Sequence, residues 1–372
     1  MIIGVPKEIK RGEYRVGMVP QSVKELVRRG HKIIIETKAG HGIGFEDEHY
    51  LFDGVTIAST PEEVYEKAEM IIKVKEPQPS EFRLLRKDQI LFTYLHLAPD
   101  PNQAQALIDS GCIAIAYETV TDRFGGLPLL TPMSEVAGRL SIQAGAYCLQ
   151  KNSGGKGILL GGVAGVNRAN VVVIGGGVVG TNALRIALGH EAHVTVLDKS
   201  LNRLRELDQE FGSGLTTIFA TQSAVEEQVR QADLVIGAVL VPGGSTPKLV
   251  TRTLLGEMEP GSVVVDVSID QGGCFETSRP TTFDDPTYVV NDIVHYCVSN
   301  MPGAVPRTAA FALNNATLPF IIDLADKGYR KALLEDAHLR NGLNVYKGIV
   351  TYKAVAEDLD KEFQPAEEAL LN

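Results

Sequence analysis

The chain has 372 residues, too many for one ordinary core, and its 44% hydrophobic and 22% charged content is that of a globular protein with two domains. Lys and Arg total 36 against 46 Asp and Glu, a formal charge of -10, which argues against nucleic acid or an anionic membrane as partner but allows a locally positive pocket for a small anion. The start, MIIGVPKEIKRGEYRV, lacks the layout of a secretory leader, the apolar stretch from Ile158 to Leu188 is broken by Asn167, Arg168, Asn170 and glycines, and Cys112, Cys148, Cys274 and Cys297 form no CxxC pair, so a cytoplasmic protein with no disulfide framework, metal site or membrane span is expected.

Short apolar runs alternate with amphipathic segments, the pattern of an α/β protein with mainly parallel sheets. In the first part, strands are predicted at Ile2–Val5, Lys32–Glu36, Met70–Val74, Ile90–Tyr94 and Ile113–Ala116. Helices are predicted at Gln21–Arg29, Pro61–Lys67 and Pro101–Ser110, the last opening on a proline whose missing N–H costs nothing in a first turn. Ser134–Lys151 reads as a long helix and Ser153–Gly165 as a glycine-rich loop or hairpin. A second series follows, with strands Val171–Ile174, His193–Leu197, Leu215–Phe219, Leu234–Ala238, Ser262–Val267 and Tyr288–Val290, enough for a complete doubly wound dinucleotide domain. Arg307–Asp326 reads as a helix and Gly342–Tyr352 as loop plus a short strand or turn. A tail without its own sheet should pack back on the first series, so the expected fold is α/β with two doubly wound domains, the first discontinuous: 1–133 plus 306–372, and 134–305.

The strongest motif is VVVIGGGVVGTNALRIAL, Val171 to Leu188. Gly175 permits a tight turn after the strand, Gly177 lets the backbone approach a pyrophosphate, and Gly180 lets the helix pack closely on the strand. The diphosphate of a dinucleotide then meets the free N–H groups and positive end of the helix. The next strand ends at Asp198, where a carboxylate accepts ribose hydroxyl hydrogen bonds and repels a 2′-phosphate, favouring NAD over NADP. Lys199, Arg203 and Arg205 soften that exclusion.

Ligands of open parallel sheets gather beyond the carboxyl ends of the strands. In the first series that edge collects Arg15, Lys75, His96 and Glu118, and in the second Asp270. Each has a plainer alternative: Arg15 and Lys75 as solvated loop charges, His96 as a structural histidine, Asp270 as a turn cap, Glu118 as the partner of a nearby base. Lys73 shares strand parity with Lys75, so position leaves both open.

The segments VPKEIKRGEYRVGMVP, VKEPQPSE, FTYLHLAPD, VIGGGVVGTNA and HYCVSNMPGAVPRTAAFALNNAT resemble the alanine dehydrogenase family, which also includes the NAD-binding part of proton-translocating transhydrogenases. The resemblance spans essentially the whole chain. It implies two Rossmann-like domains, a substrate/catalytic one and an NAD-binding one, in a homo-oligomer that is commonly a hexamer. It also implies an enzyme that oxidatively deaminates L-alanine to pyruvate and ammonium, reversibly, with NAD. By matching motif, Arg15 and Lys75 hold the substrate carboxylate, which selects Lys75 over Lys73. His96 is the acid/base, and Asp270 orients or activates the amine or water. Cofactor contacts are implied at Ser134, Val178, Val179, Arg203, Val239, Leu240, Val267, Ser268, Ile269, Asp270, Arg279, Val298, Ser299, Asn300 and Met301, besides Gly175, Gly177, Gly180 and Asp198. Two departures stand out: Ala220 replaces a serine of some relatives, and Lys327 stands in a stretch where some members carry a magnesium-binding histidine opposite the position of Glu118. The competing expectations are a transhydrogenase subunit and a non-catalytic NAD-sensing regulator.

Overall fold

A computed structural model describes residues 1–239 and 246–371. The chain divides into two compact units, residues 1–133 with 305–372, and residues 134–304. Both are doubly wound α/β sheets, the expected fold class.

In the first unit, β1 (Ile2–Val5), β2 (Lys32–Glu36), β3 (Val55–Ala58), β4 (Met70–Ile72), β5 (Ile90–Thr93) and β6 (Ile113–Ala116) are parallel, and the chain's end adds β14 (Leu343–Tyr346) and β15 (Ile349–Val350). The order is β15-β14-β6-β5-β4-β1-β2-β3, with β14 antiparallel to β6. The second unit has β7 (Asn170–Ile174), β8 (His193–Asp198), β9 (Leu215–Phe219), β10 (Leu234–Gly237), β11 (Val263–Asp266), β12 (Thr287–Val290) and β13 (Ile293–Tyr296), in the order β12-β13-β11-β10-β7-β8-β9. Counting parallel strands only, each sheet runs 3-2-1-4-5-6, so each has a switch point: β1 beside β4, and β7 beside β10.

The strands are nearly continuous apolar runs because both sheet faces are covered. Alternate residues enter opposite cores: Ile33 and Ile35 one way and Ile34 the other; Val171 and Val173 one way and Val172 and Ile174 the other. Several helices start where a side chain supplies the first-turn acceptor: Thr60 takes the Glu63 N–H, Asp100 the Gln103 N–H and Ser200 the Arg203 N–H.

Three elements differ from the sequence reading. The edge strand β3 was not expected; its VTIA is only half-buried, so it lacks a core signature. Tyr288–Val290 is not the sixth parallel strand but part of the antiparallel edge β12, and the parallel strand is β13. The Asn291–Asp292 turn between them has φ of 50° and 60°, the left-handed pair of a tight hairpin. β13 contains His295, fully buried, which disguised it. Its Nδ1 faces the Ile293 carbonyl at 3.0 Å and its Nε2 the Thr277 hydroxyl at 2.7 Å; burial lowers its pKa and keeps the ring neutral. At the chain's end, Lys347–Gly348 (φ 51° and 95°) closes the β14–β15 hairpin, where only loop plus short strand or turn was expected.

Candidate active site

At the first switch point, β1 runs into Pro6–Val19 before the helix Pro20–Arg28, and this long connection carries Glu8, Glu13 and Arg15. Arg15 is 2% exposed. Its Nε donates to Glu13 Oε1 at 2.6 Å and its Nη2 to Glu13 Oε2 at 2.5 Å, while Nη1 lies 2.8 Å from Met133 Sδ. The pairing takes two of the guanidinium's five N–H groups and fixes its plane. Burial opposes ionisation of Glu13, but Arg15 outweighs it and holds the carboxyl below the usual range.

Next to it, β4 ends in Lys73, Val74 and Lys75, and the structure separates the two lysines. Lys73 is fully buried and paired with Glu8 at 3.3 Å and Glu81 at 3.0 Å; Glu81 also accepts the Tyr65 hydroxyl hydrogen bond. That ammonium is committed to the core. Lys75 is half-buried and forms no ion pair among the described residues. Burial first, and then the Arg15 charge, lower its pKa. Lys75 is therefore a desolvated cation held close to a second one.

His96 follows β5, exposed and in the left-handed region at φ 49°. Such a conformation costs a histidine about 1–3 kcal/mol and persists only where neighbours enforce it. Here Glu118, after β6, accepts the His96 N–H at 2.6 Å and the Leu95 N–H at 3.1 Å, both on Oε1. Tyr94 connects the cations to the histidine. Its ring lies 5.9 Å from the His96 ring, its hydroxyl donates to the Leu129 carbonyl at 2.5 Å, and it lies within electrostatic reach of Arg15. Arg15, Lys75 and His96 thus occupy one strand edge. Glu8, Glu13, Tyr94 and Met133 escaped the sequence reading. The adjacency of β1 and β4, invisible in one dimension, brings Glu8 to the Val74 and Lys75 backbone, whereas Glu13 meets Arg15 within the same connection, two residues away.

The second switch point is built differently. Gly175–Gly177 alone connect β7 to the helix Val178–Gly189. Gly175 has φ 101°, and a Cβ on it would fall 2.6 Å from the Ala238 carbonyl oxygen; a Cβ on Gly180 would fall 1.9 Å from the Gly175 oxygen. A Cβ on Gly177 would meet nothing within 4 Å. Among the described residues no side chain caps this helix. First-turn N–H groups that no described side chain caps are what a diphosphate requires, so these residues fit a dinucleotide.

Asp198 accepts the Gly176 N–H at 2.7 Å on Oδ2 and the Ser200 N–H at 2.8 Å on Oδ1. Arg203 grips the same glycine by its next peptide, donating from Nε to the Gly176 carbonyl at 2.7 Å and from Nη2 to Thr181 Oγ1 at 2.6 Å. It also pairs with Glu206 at 2.5 Å, so its charge is engaged at the turn.

Asp270 lies exposed in the turn Val267–Gln271, directly after β11. Asp266, fully buried, holds that turn by accepting from Ser268 N at 3.1 Å, Cys274 N at 2.9 Å and Ser278 Oγ at 2.5 Å. Ser268 Oγ donates to the Val239 carbonyl at 2.7 Å, tying together the ends of β10 and β11. Ile269 is buried and Val267 half-buried. Arg279 stacks over Tyr288, 4.1 Å from its centroid. Ser134 and Val179 are half-buried, and Val178 is 41% exposed beside the glycine turn. Val298 and Met301 are buried, whereas Ser299 and Asn300 are half-buried. Leu240 lies outside the described residues.

Among the described residues, no three His, Cys, Asp or Glu side chains converge on a possible metal position, and no helix is long and apolar enough to cross a membrane. Lys327 pairs with Asp323 at 3.0 Å.

The fold and the glycine turn define a two-sheet α/β protein of the dinucleotide-binding class. Comparison with known proteins sharpens this. The family profile described as "Alanine dehydrogenase/PNT, N-terminal domain" matches residues 4–137, and "Alanine dehydrogenase/PNT, C-terminal domain" matches residues 141–353. The alanine dehydrogenase of Halomonas elongata is 57% identical over 98% of this chain and 99% of its own. A solved L-alanine dehydrogenase superposes with a TM-score of 0.94 at 50% identity, covering 97% of this chain and 99% of the other. A transhydrogenase from Sinorhizobium meliloti shares the fold, with a TM-score of 0.81 at 23% identity over 95% of this chain and 100% of its own. The chain belongs to the alanine dehydrogenase/PNT family, and it is an oxidoreductase.

Proposed function

We propose that this protein is an NAD-dependent L-alanine dehydrogenase that interconverts L-alanine with pyruvate and ammonium. The carrying observation is the edge of the first sheet: Arg15 locked by Glu13, Lys75 desolvated and without an ion pair among the described residues, and His96 in an enforced left-handed turn. Two adjacent cations suit one small carboxylate, and an exposed imidazole suits proton transfer at the neighbouring carbon. Family membership, with an alanine dehydrogenase 57% identical over nearly the full chain, supports alanine as substrate.

Gly175, Gly177, Gly180 and the first-turn N–H groups would hold the diphosphate of NAD, and Asp198 the adenosine ribose; the bound nicotinamide supplies the hydride acceptor. The chain's own residues do the rest. Arg15 and Lys75 bind the substrate carboxylate and fix the rotation that presents the α-hydrogen. After hydride loss, a water adds to the imino carbon, and a ring nitrogen of His96 takes the water's proton. The same nitrogen later returns that proton to the amino group, which leaves as ammonia while the carbinol O–H gives its proton to His96 and the carbonyl forms; ammonia then takes up that proton, so the released product is ammonium. The family resemblance gives Asp270 the role of orienting or activating the amine or water, and a carboxylate suits the positive charge on an imino nitrogen. Reduced cysteines, all four buried, support a cytoplasmic setting, and the family resemblance supports a homohexamer.

The test is NADH oxidation by the purified protein. It is expected to require pyruvate and ammonium together and no second dinucleotide, and His96→Ala is expected to lower turnover by about 10²–10⁴-fold with NADH binding retained. Oxidation that ignores pyruvate and ammonium but needs an acceptor dinucleotide would assign transhydrogenase chemistry instead. NADH binding without any turnover would assign a sensor.

A further inference from the structure

Strands β4 and β5 deliver Lys75 and His96, and both stop pairing just before those residues. Past each strand end, backbone N–H groups lose their ladder partners, and a carboxylate from the flanking strand's connection takes them. On the β1 side, Glu8 accepts from Val74 N at 2.7 Å and Lys75 N at 3.4 Å. On the β6 side, Glu118 accepts from Leu95 N and, at 2.6 Å, from His96 N. The second case does more than fill an empty donor, because His96 is the residue in the left-handed conformation. The peptide between Leu95 and His96 is gripped from both directions, its N–H by Glu118 and its carbonyl by Gln103 Nε2 at 2.8 Å.

We propose that Glu118 is a positioning residue for the reaction: its carboxylate, clamped on the Leu95 and His96 N–H groups, sets the left-handed turn that aims the His96 imidazole. The assignment rests on His96 being the acid/base. Without the clamp, His96 relaxes toward the ordinary β region, its Cα–Cβ vector swings, and the imidazole leaves the reacting carbon while the carboxylate-binding pair is untouched. The effect therefore belongs in kcat and not in KM for pyruvate, and it acts only through the imidazole.

Four full-length variants test this: Glu118→Ala, Glu118→Gln, His96→Ala and the double variant Glu118→Ala/His96→Ala. Glu118→Ala is expected to lower kcat on the order of 10- to 100-fold, the scale of a displaced catalytic group, with pyruvate KM and NADH affinity within about twofold of the parent. Glu118→Gln, whose amide oxygen still accepts from both N–H groups, is expected to recover most of that kcat. In the His96→Ala background, Glu118→Ala is expected to cost nothing further, because the side chain it aims is gone. A merely structural Glu118 would lower Tm and leave kcat per folded enzyme unchanged, or would add its loss to that of His96→Ala; either result overturns the proposal. Should Glu118→Ala not fold, Glu118→Asp carries the same test, since a carboxylate one methylene short reaches neither N–H; parent-like kcat in it overturns the proposal equally. If His96→Ala alone turns over like the parent, the acid/base assignment falls and this inference falls with it. A crippled His96→Ala beside a normal Glu118→Ala removes only the positioning role.

Discussion

The two sheets share a strand order and a switch point, yet they prepare their strand ends in opposite ways. In the second unit, three glycines lead straight from β7 into a helix that no described side chain caps, so the proposed anion site is made of backbone N–H groups. In the first unit, the long connection after β1 brings its own carboxylates. Glu8 and Glu118 fill the N–H groups past β4 and β5, and the helix that follows opens with Pro20, which has no N–H to offer. The carboxylate site proposed there offers side-chain cations instead. On the proposed reading one topology builds two kinds of anion recognition, and the choice depends on whether the protein's own carboxylates already occupy the donors. An extended diphosphate suits an array of peptide N–H groups; a single small carboxylate needs localised charge and fixed orientation, the role proposed for Arg15 and Lys75.

That contrast can be broken by mutation. Its largest expected consequence is at Arg15. Arg15→Ala should raise pyruvate KM by roughly 10- to 100-fold, the scale of a lost charge-assisted hydrogen bond, while NADH affinity stays put. An equal loss of NADH binding in titration would mean that the two anion sites are not separate. Next is Gly180→Ala, whose Cβ would collide with the Gly175 carbonyl oxygen at 1.9 Å. A cost of about 1–3 kcal/mol in thermal unfolding and weaker NADH binding are expected, against a near-parent Tm for Gly177→Ala, where a Cβ meets open space. A normal Gly180→Ala protein would show that the turn does not need that close approach.

The smallest effect is in the pH dependence. The Lys75 pKa is lowered by burial and by Arg15, so its charge is lost as pH rises through a value below the usual lysine range. Pyruvate KM should accordingly climb on the alkaline side sooner than an exposed lysine would allow, and Lys75→Arg should shift that limb upward. A flat profile up to the ordinary lysine range would assign the localised charge to Arg15 alone.

Much of this was readable from residue order because the physical signals are local. A β-branched run, glycines at fixed spacing and an acid at the next strand's end identify a dinucleotide turn without knowing where any strand lies. Alternating apolar runs likewise reveal the α/β class, since each strand must fill cores on both faces. Hairpin edges were harder: β13 hides behind a buried histidine whose polarity is satisfied by Thr277, and β3 is an edge strand with little to bury.

Tertiary structure alone decided what depends on which strands are neighbours. Lys73 and Lys75 have the same parity and the same chemistry in sequence. Only the placement of Glu8 and Glu81 around the first consumes its charge and leaves the second desolvated without an ion pair among the described residues. Glu118 reads as any acidic residue after a strand until β6 lies beside β5 and its carboxylate meets the N–H of His96. The division has a simple cause. Backbone preferences and burial periodicity act over a few residues and are written consecutively, whereas the state of a charged group is set by whatever the fold brings within a few ångströms of it.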